Sequence, residues 1–83
     1  MIVIASDHAG VALKAELIEV IREVGREVRD LGPADTQSVD YPDFAHRVAE
    51  AVSSGAAEMG VLVCGTGIGM SLSANRHPGI RAA

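Results

Sequence analysis

The chain has 83 residues, a formal net charge of −4 and a composition that is 48% hydrophobic but 2% aromatic. A chain of this length forms one small domain with a thin aliphatic core that favours oligomerisation, and its acidic charge argues against general nucleic-acid binding, which needs a basic face. No apolar run approaches the roughly 20 residues of a membrane span, the single cysteine cannot form an internal disulfide, and no secretion signal precedes the first predicted strand, so we expect a soluble cytoplasmic protein.

The first part of the chain predicts a strand, a helix and a second strand. Residues 1–5 form a short, continuous β-branched run, which is typical of a strand covered on both faces. Apolar residues then recur at helical spacing and form one stripe: Leu13, Leu17, Val20, Ile21 and Val24. Lys14 is among the charged residues that lie largely off this stripe. Gly25 is placed to end this helix. Residues 26–31 combine charged side chains with Val28 and Leu31, which indicates a strand at or near a sheet edge.

The second part predicts a loop, a helix, a third strand and a glycine-rich turn. Residues 32–40 are polar and aperiodic, so we expect a loop there. A second helix follows that Gly55 can close, with these residues on one face: Phe44, Ala45, Val48 and Val52. Residues 60–63 predict the third strand, and a short helix to about Asn75 and the beginning of a fourth strand at 80–82 come after the turn. This alternation predicts an α/β fold with a parallel sheet and right-handed crossovers.

The most informative segment is residues 64–71, Cys-Gly-Thr-Gly-Ile-Gly-Met-Ser, directly after the third predicted strand. Its three glycines let the backbone turn tightly and expose N–H groups, and the helix predicted after it directs its positive end toward the turn. The turn is therefore predicted to bind an anion and to favour the thiolate of Cys64, which can act as a base or nucleophile. Asp7 and His8 follow the first strand in the same way. If these two strands are neighbours, both segments border one crevice at the carboxyl edge of the sheet.

Each of these residues also has a purely structural interpretation. Cys64 can be a small buried core residue, and the glycines can simply make a tight turn, since their spacing is not the dinucleotide-binding fingerprint. Asp7 can cap the first helix with His8 in solvent. Tyr41 suits packing at the start of a helix as well as substrate contact. Two further histidines are predicted to lie on the surface: His46 and His77.

A thiol before an anion-binding turn is also found in cysteine phosphatases. Those enzymes need an arginine six positions after the nucleophile, and that position here is Met70, so phosphatase chemistry is disfavoured. A phosphocysteine carrier of the sugar-transport type has a looser loop and stays open as an alternative. No histidine, cysteine and aspartate cluster has metal-ligand spacing, so no metal site is predicted.

Motifs along the whole chain occur in a fixed order: Ser6-Asp7-His8-Ala9-Gly10, Leu13-Lys14, Asp40-Tyr41-Pro42-Asp43-Phe44-Ala45, Cys64-Gly65-Thr66-Gly67-Ile68-Gly69-Met70-Ser71, Ala74-Asn75 and Gly79-Ile80-Arg81-Ala82. Together they resemble the ribose-5-phosphate isomerase B family, which also contains galactose-6-phosphate isomerase subunits. The resemblance implies a three-layer α/β/α sandwich around a parallel, Rossmann-like sheet. It also implies one sugar-phosphate isomerase domain over residues 1–83, in homodimers or higher homo-oligomers whose active sites take residues from two subunits.

The resemblance also implies an activity and a set of site residues. Family members interconvert an aldose phosphate and a ketose phosphate through an enediolate, without metal or organic cofactor, and ribose 5-phosphate is the substrate expected first. By position, Cys64 resembles the catalytic base and Thr66 the hydroxyl beside the reacting sugar oxygens. The remaining positions match residues that bind substrate or stabilise the enediolate: Asp7, His8, Tyr41, Gly65, Gly67, Ile68 and Gly69.

This sequence departs from the family pattern in one respect. Family members usually continue past the Gly-Ile-Arg-Ala motif into elements that carry a ring-opening histidine, a substrate-contacting asparagine and phosphate-binding arginines, and these positions have no counterpart in the 83 residues. The resemblance is therefore to the N-terminal part of an isomerase with a fold incomplete at its C-terminus, and weak or absent turnover is expected from this chain alone. A non-catalytic phosphate-binding or assembly module is the main alternative.

Overall fold

The computed structural model of the chain describes residues 1–33 and 41–64, together with residues 74, 75, 77 and 79. Within these residues the elements follow the predicted order: β1 (Ile2–Ser6), α1 (Val11–Glu23), β2 (Val28–Asp30), α2 (Tyr41–Ser53) and β3 (Met59–Val63). A short 3-10 turn, His8–Gly10, connects β1 to α1. Most of the predicted loop, the glycine-rich turn and the predicted fourth strand lie outside the described residues.

The three strands form one parallel sheet with the order β2-β1-β3. Ile2 of β1 is in register with Val28 on one side and with Met59 on the other, and Ser6 is in register with Val63. The central position of β1 explains why its five residues are all buried, as its continuous apolar run predicts. Because β1 and β3 are parallel neighbours, they end at the same edge of the sheet. The condition on which the predicted crevice depends is therefore met.

The two helices cover opposite faces of this sheet. Val3 and Ala5 of β1 form a buried cluster with Val48 of α2 and with Ala57. Alternate residues of a strand point to opposite faces, so Ile4 points to the other face of the sheet. Its register partner in β2 is Asp30, which forms an ion pair with Lys14 of α1. The described elements therefore form the predicted α/β/α layers.

Glycines end both helices where the sequence places them. Gly25 has a φ of +84°, its N–H donates to the Arg22 carbonyl at 3.0 Å, and the Arg26 N–H donates to the Ile21 carbonyl at 3.2 Å. This pair of bonds is the Schellman arrangement, which satisfies carbonyls at the helix end and needs a left-handed residue. Gly55 adopts the same left-handed conformation after α2, with a φ of +83°. Of the two described helices, neither is long and apolar enough to span a bilayer.

The orientation of α1 differs from the prediction. Three residues of the predicted apolar stripe are exposed: Leu13 by 50%, Val20 by 53% and Val24 by 70%. Lys14, which was predicted to lie off the stripe, is only 2% exposed. The physical reason is that the Lys14 ammonium has partners inside, since it donates to Asp30 Oδ1 at 2.8 Å and to the Pro33 carbonyl at 2.5 Å. A buried charge with such partners avoids the free-energy cost of unpaired burial.

Candidate active site

Asp7 connects the carboxyl ends of β1 and β3. Its backbone N–H donates to the Val63 carbonyl at 3.0 Å, so the residue after β1 is bonded to the last residue of β3. Its carboxylate Oδ1 accepts a hydrogen bond from the Gly10 N–H at 2.9 Å and caps the turn that starts α1. Asp7 is therefore a cap, as one interpretation predicted, but of the 3-10 turn, since α1 itself has Gly10 at its N-cap position and, from the residues that the structure describes, no side-chain cap. The same contacts place its half-buried side chain at the predicted edge of the sheet.

Gly10 brings the start of α1 into close contact with the end of β3. A β-carbon built on Gly10 would lie 2.7 Å from the Val63 carbonyl oxygen, 2.9 Å from Val63 Cγ1 and 3.1 Å from Ser6 Cβ. Ser6 is fully buried, and its hydroxyl has no hydrogen-bond partner among the described residues. Sequence reasoning missed both features, because they arise from contacts between segments more than 50 positions apart in the chain.

Cys64 follows β3 directly and is partly exposed. Its neighbour Val63 is the residue bonded to Asp7, so the two predicted site segments meet where their strands end. A side chain that is partly accessible can reach a ligand at this edge, which a fully buried core cysteine cannot. The turn predicted to supply the N–H donors lies outside the described residues, as do its predicted site positions: Gly65, Thr66, Gly67, Ile68 and Gly69.

The other two predicted site residues lie at the start of helical segments. His8 is exposed in the 3-10 turn after Asp7. Tyr41 is the first residue of α2, and the structure describes its backbone alone. The first turn of α2 lies near the end of β1, because Phe44 packs against Gly32, whose carbonyl accepts a hydrogen bond from the Ser6 N–H at 3.1 Å. The structure therefore brings Asp7, His8, Cys64 and the backbone of Tyr41 toward one edge.

A histidine pair lies apart from these residues and was not predicted. His46 Nδ1 of α2 lies 2.5 Å from His77 Nε2, and His46 Nε2 lies 3.3 Å from Glu50 Oε1. The spacing of four residues between His46 and Glu50 is a signal that the sequence does carry, whereas the contact with His77 depends on how the later segment packs. Across the described part of the chain, no three histidine, cysteine or acidic side chains are grouped so that they could hold a metal ion.

The Asp7 cap leads to a stability prediction. Asp7→Ala removes the acceptor for the Gly10 N–H, so we expect the free energy of unfolding to fall by about 1 kcal/mol. Asp7→Asn keeps a side-chain oxygen at the same place and is expected to retain most of that free energy while removing the charge. Urea denaturation of both variants measures the difference. Equal losses in the two variants would contradict the assignment of the cap to Oδ1.

Comparison with known proteins gives consistent matches. The family model described as Ribose/Galactose Isomerase matches residues 2–83. Ribose-5-phosphate isomerase B of Escherichia coli is 46% identical over 76 residues, which cover 92% of this chain and 51% of that protein. The solved structure of Clostridium thermocellum ribose-5-phosphate isomerase B is 52% identical, with a TM-score of 0.97 over 99% of this chain and 55% of that one.

A second solved structure gives the same result. The ribose 5-phosphate isomerase of Thermotoga maritima is 50% identical, with a TM-score of 0.96 over 99% of this chain and 57% of that one. The chain thus spans about half the length of the curated relatives that it matches. Because these matches cover 99% of this chain, they extend over every described element.

Proposed function

Because this chain belongs to the ribose/galactose isomerase family, we propose that it acts as a sugar-phosphate aldose–ketose isomerase that converts ribose 5-phosphate to ribulose 5-phosphate. The observation that carries this proposal is the hydrogen bond from the Asp7 N–H to the Val63 carbonyl. This bond holds the Asp7-His8 segment beside Cys64 at one edge of the sheet. The proposal treats residues 1–83 as one isomerase domain that works in the cytoplasm.

Cys64 is the base in the proposed reaction. Its thiolate removes the proton from C2 of the open-chain aldose, and the electron pair of that bond forms the C1–C2 double bond of an enediolate as the carbonyl oxygen gains charge. The thiol then returns the proton to C1, while a proton moves from O2 to O1, so that a ketose results. A positioned base of this kind accelerates proton transfer by about 10²–10⁴-fold.

The glycine turn and the residues around it have complementary roles in the proposal. N–H groups of residues 65–69 donate to the enediolate oxygens, where charge develops, and the Thr66 hydroxyl lies beside the same oxygens. Asp7, His8 and Tyr41 bind the sugar phosphate at the opposite wall of the crevice. No step of this proton transfer needs a metal ion or an organic cofactor.

The substrate assignment is supported by the relatives. The E. coli protein and the C. thermocellum structure are both named ribose-5-phosphate isomerase B, whereas a 43% identical protein of Clostridium acetobutylicum is named galactose-6-phosphate isomerase subunit LacB. We infer the pentose phosphate as substrate because both of these ribose enzymes match this chain at higher identity than the LacB protein does. Galactose 6-phosphate is the competing substrate for the same chemistry.

The assay uses the purified chain with ribose 5-phosphate in D₂O. Two products are followed by NMR: ribulose 5-phosphate, and ribose 5-phosphate that carries deuterium at C2. We expect both to form faster than without protein, and faster than the matching products from galactose 6-phosphate. Exchange at C2 reports enediolate formation even where net isomerisation is slow. Absence of both products at saturating substrate would contradict the proposed activity.

A second candidate function is a non-catalytic sugar-phosphate-binding or assembly module. It is the conclusion if ribose 5-phosphate shifts the amide resonances of the chain but neither product forms. For both candidates we propose a homodimer or higher homo-oligomer, which is supported by the exposed apolar side chains of Leu13, Val20 and Val24.

A further inference from the structure

Lys14 is the only lysine in the chain, and its side chain is 3% exposed. An ammonium group is strongly hydrated in water, so its burial is unfavourable unless charged and polar partners replace the water. Two partners do so here: Asp30 Oδ1 at 2.8 Å and the Pro33 carbonyl at 2.5 Å. Asp30 is the last residue of β2 and Pro33 lies three positions later, so the ammonium connects α1 to the end of β2 and to the backbone that follows it.

The same carboxylate oxygen organises the residues that follow β2, here called the exit segment (residues 31–33). Asp30 Oδ1 also accepts a hydrogen bond from the Gly32 N–H at 2.8 Å. One oxygen therefore receives both the buried ammonium and a backbone donor, and the ammonium reaches past it to the Pro33 carbonyl. Lys14 thus contacts the last residue of the exit segment directly, and it also contacts the carboxylate before the segment that accepts the Gly32 N–H.

The exit segment is in turn bonded to the end of β1. The Leu31 N–H donates to the Ile4 carbonyl at 2.8 Å, and the Ser6 N–H donates to the Gly32 carbonyl at 3.1 Å. Ser6 is the residue before Asp7. On its outer side Gly32 packs against the ring of Phe44, in the first turn of the helix that Tyr41 begins. The segment therefore contacts the β1 backbone just before Asp7 and a side chain from the first turn of α2.

We propose that Lys14 is a positioning residue for substrate binding: its ammonium fixes the exit segment, and the exit segment fixes the backbone that presents Asp7 and the start of α2. This inference rests on the proposed function. Lys14 acts on the β2 side of the central strand, whereas Cys64 follows β3 on the other side. Removal of the Lys14 ammonium should therefore weaken substrate binding and leave the proton-transfer step unchanged.

The test compares Lys14→Met with Arg22→Met. Methionine keeps an unbranched apolar side chain and removes the ammonium. Arg22 is an exposed residue of the same helix, so its substitution removes one positive charge without touching the exit segment. For Lys14→Met we expect the KM for ribose 5-phosphate to rise about tenfold with kcat within about twofold of the unmodified chain, the pattern of lost binding rather than lost catalysis. Arg22→Met should change neither constant.

Hydrogen exchange supplies a readout that does not depend on activity. The Leu31 and Gly32 amides should exchange at least about tenfold faster in Lys14→Met, while the Asp7 amide, bonded to β3, keeps its protection. Asp30→Asn is the second variant, because it keeps an oxygen acceptor and is expected to fold. It should raise KM in the same direction by a smaller factor.

The outcomes separate this inference from the proposed function. Faster exchange at Leu31 and Gly32 with an unchanged KM would show that Lys14 only stabilises the fold. A fall in kcat as large as the rise in KM would give Lys14 a role in catalysis instead. Either result overturns the inference. If the unmodified chain neither binds nor turns over ribose 5-phosphate, the proposed function and this inference fail together. If it binds without turnover, the dissociation constant takes the place of KM and the same tenfold change is expected.

Discussion

Cys64→Ala is expected to lower the rate of C2 deuterium exchange in ribose 5-phosphate by about 10²–10⁴-fold, because alanine has no group that can accept the proton. Binding should change little, since the side chain lost is small and the groups proposed to hold the substrate remain. The exchange rate is measured by NMR at saturating substrate, so that the difference reflects the chemical step.

The controls for this prediction are a substitution in β3 and a second substitution at Cys64. Met59→Ala removes the sulfur-containing side chain at the other end of β3, where it is 53% exposed, and is expected to leave the exchange rate unchanged. Cys64→Ser keeps the size of the side chain but replaces the thiol with a hydroxyl that is rarely ionised near neutral pH, so it should be nearly as slow as Cys64→Ala. Thermal unfolding of all three variants verifies that the fold is intact.

Two results would contradict this role of Cys64. The first is an exchange rate in Cys64→Ala that stays within about threefold of the rate of the unmodified chain. Loss of a base should lower the rate by about 10²-fold or more, so such a small change would assign proton abstraction to another residue. Transfer of phosphate from a phosphohistidine donor to the Cys64 sulfur would instead favour the phosphocysteine carrier. That reaction forms a sulfur–phosphorus bond and breaks the nitrogen–phosphorus bond of the donor, and intact mass detects the added group.

Much of this architecture could be predicted because it follows from local patterns and one topological rule. The continuous apolar run at the start of the chain predicts a central strand, and the glycines at 25 and 55 predict the helix ends. The meeting of Asp7 with the Cys64 segment needs only that β1 and β3 be parallel neighbours. No side-chain detail enters that argument.

The features that could not be predicted depend on contacts between distant segments. Lysine is typical of solvent-facing helix positions, and only the position of Asp30 and Pro33 makes the burial of Lys14 favourable. The contact of His46 with His77 likewise joins two residues 31 positions apart. Helical periodicity shows that a face exists, but the partners on the sheet decide which residues of that face are covered.

Gly10→Ala is expected to destabilise the fold and to impair the site at once. Its β-carbon would lie 2.7 Å from the Val63 carbonyl oxygen, a distance that real β-carbons essentially never show. The oxygen cannot move away freely, because it accepts the hydrogen bond from the Asp7 N–H. We expect the free energy of unfolding to fall by about 1–3 kcal/mol, as for other overpacked sites. Urea denaturation measures this loss.

Gly60→Ala is the matched control for that variant. Its β-carbon would overlap Val48 Cγ1, so it should also destabilise the fold by about 1–3 kcal/mol, but Gly60 lies near the start of β3, away from the carboxyl edge of the sheet. Only Gly10→Ala displaces the residue before Cys64, and a displacement of about 1 Å can lower a rate by as much as about 100-fold. We therefore expect the exchange rate per folded molecule to fall in Gly10→Ala and to persist in Gly60→Ala. Equal rates in the two variants would mean that the close contact between α1 and β3 serves stability alone.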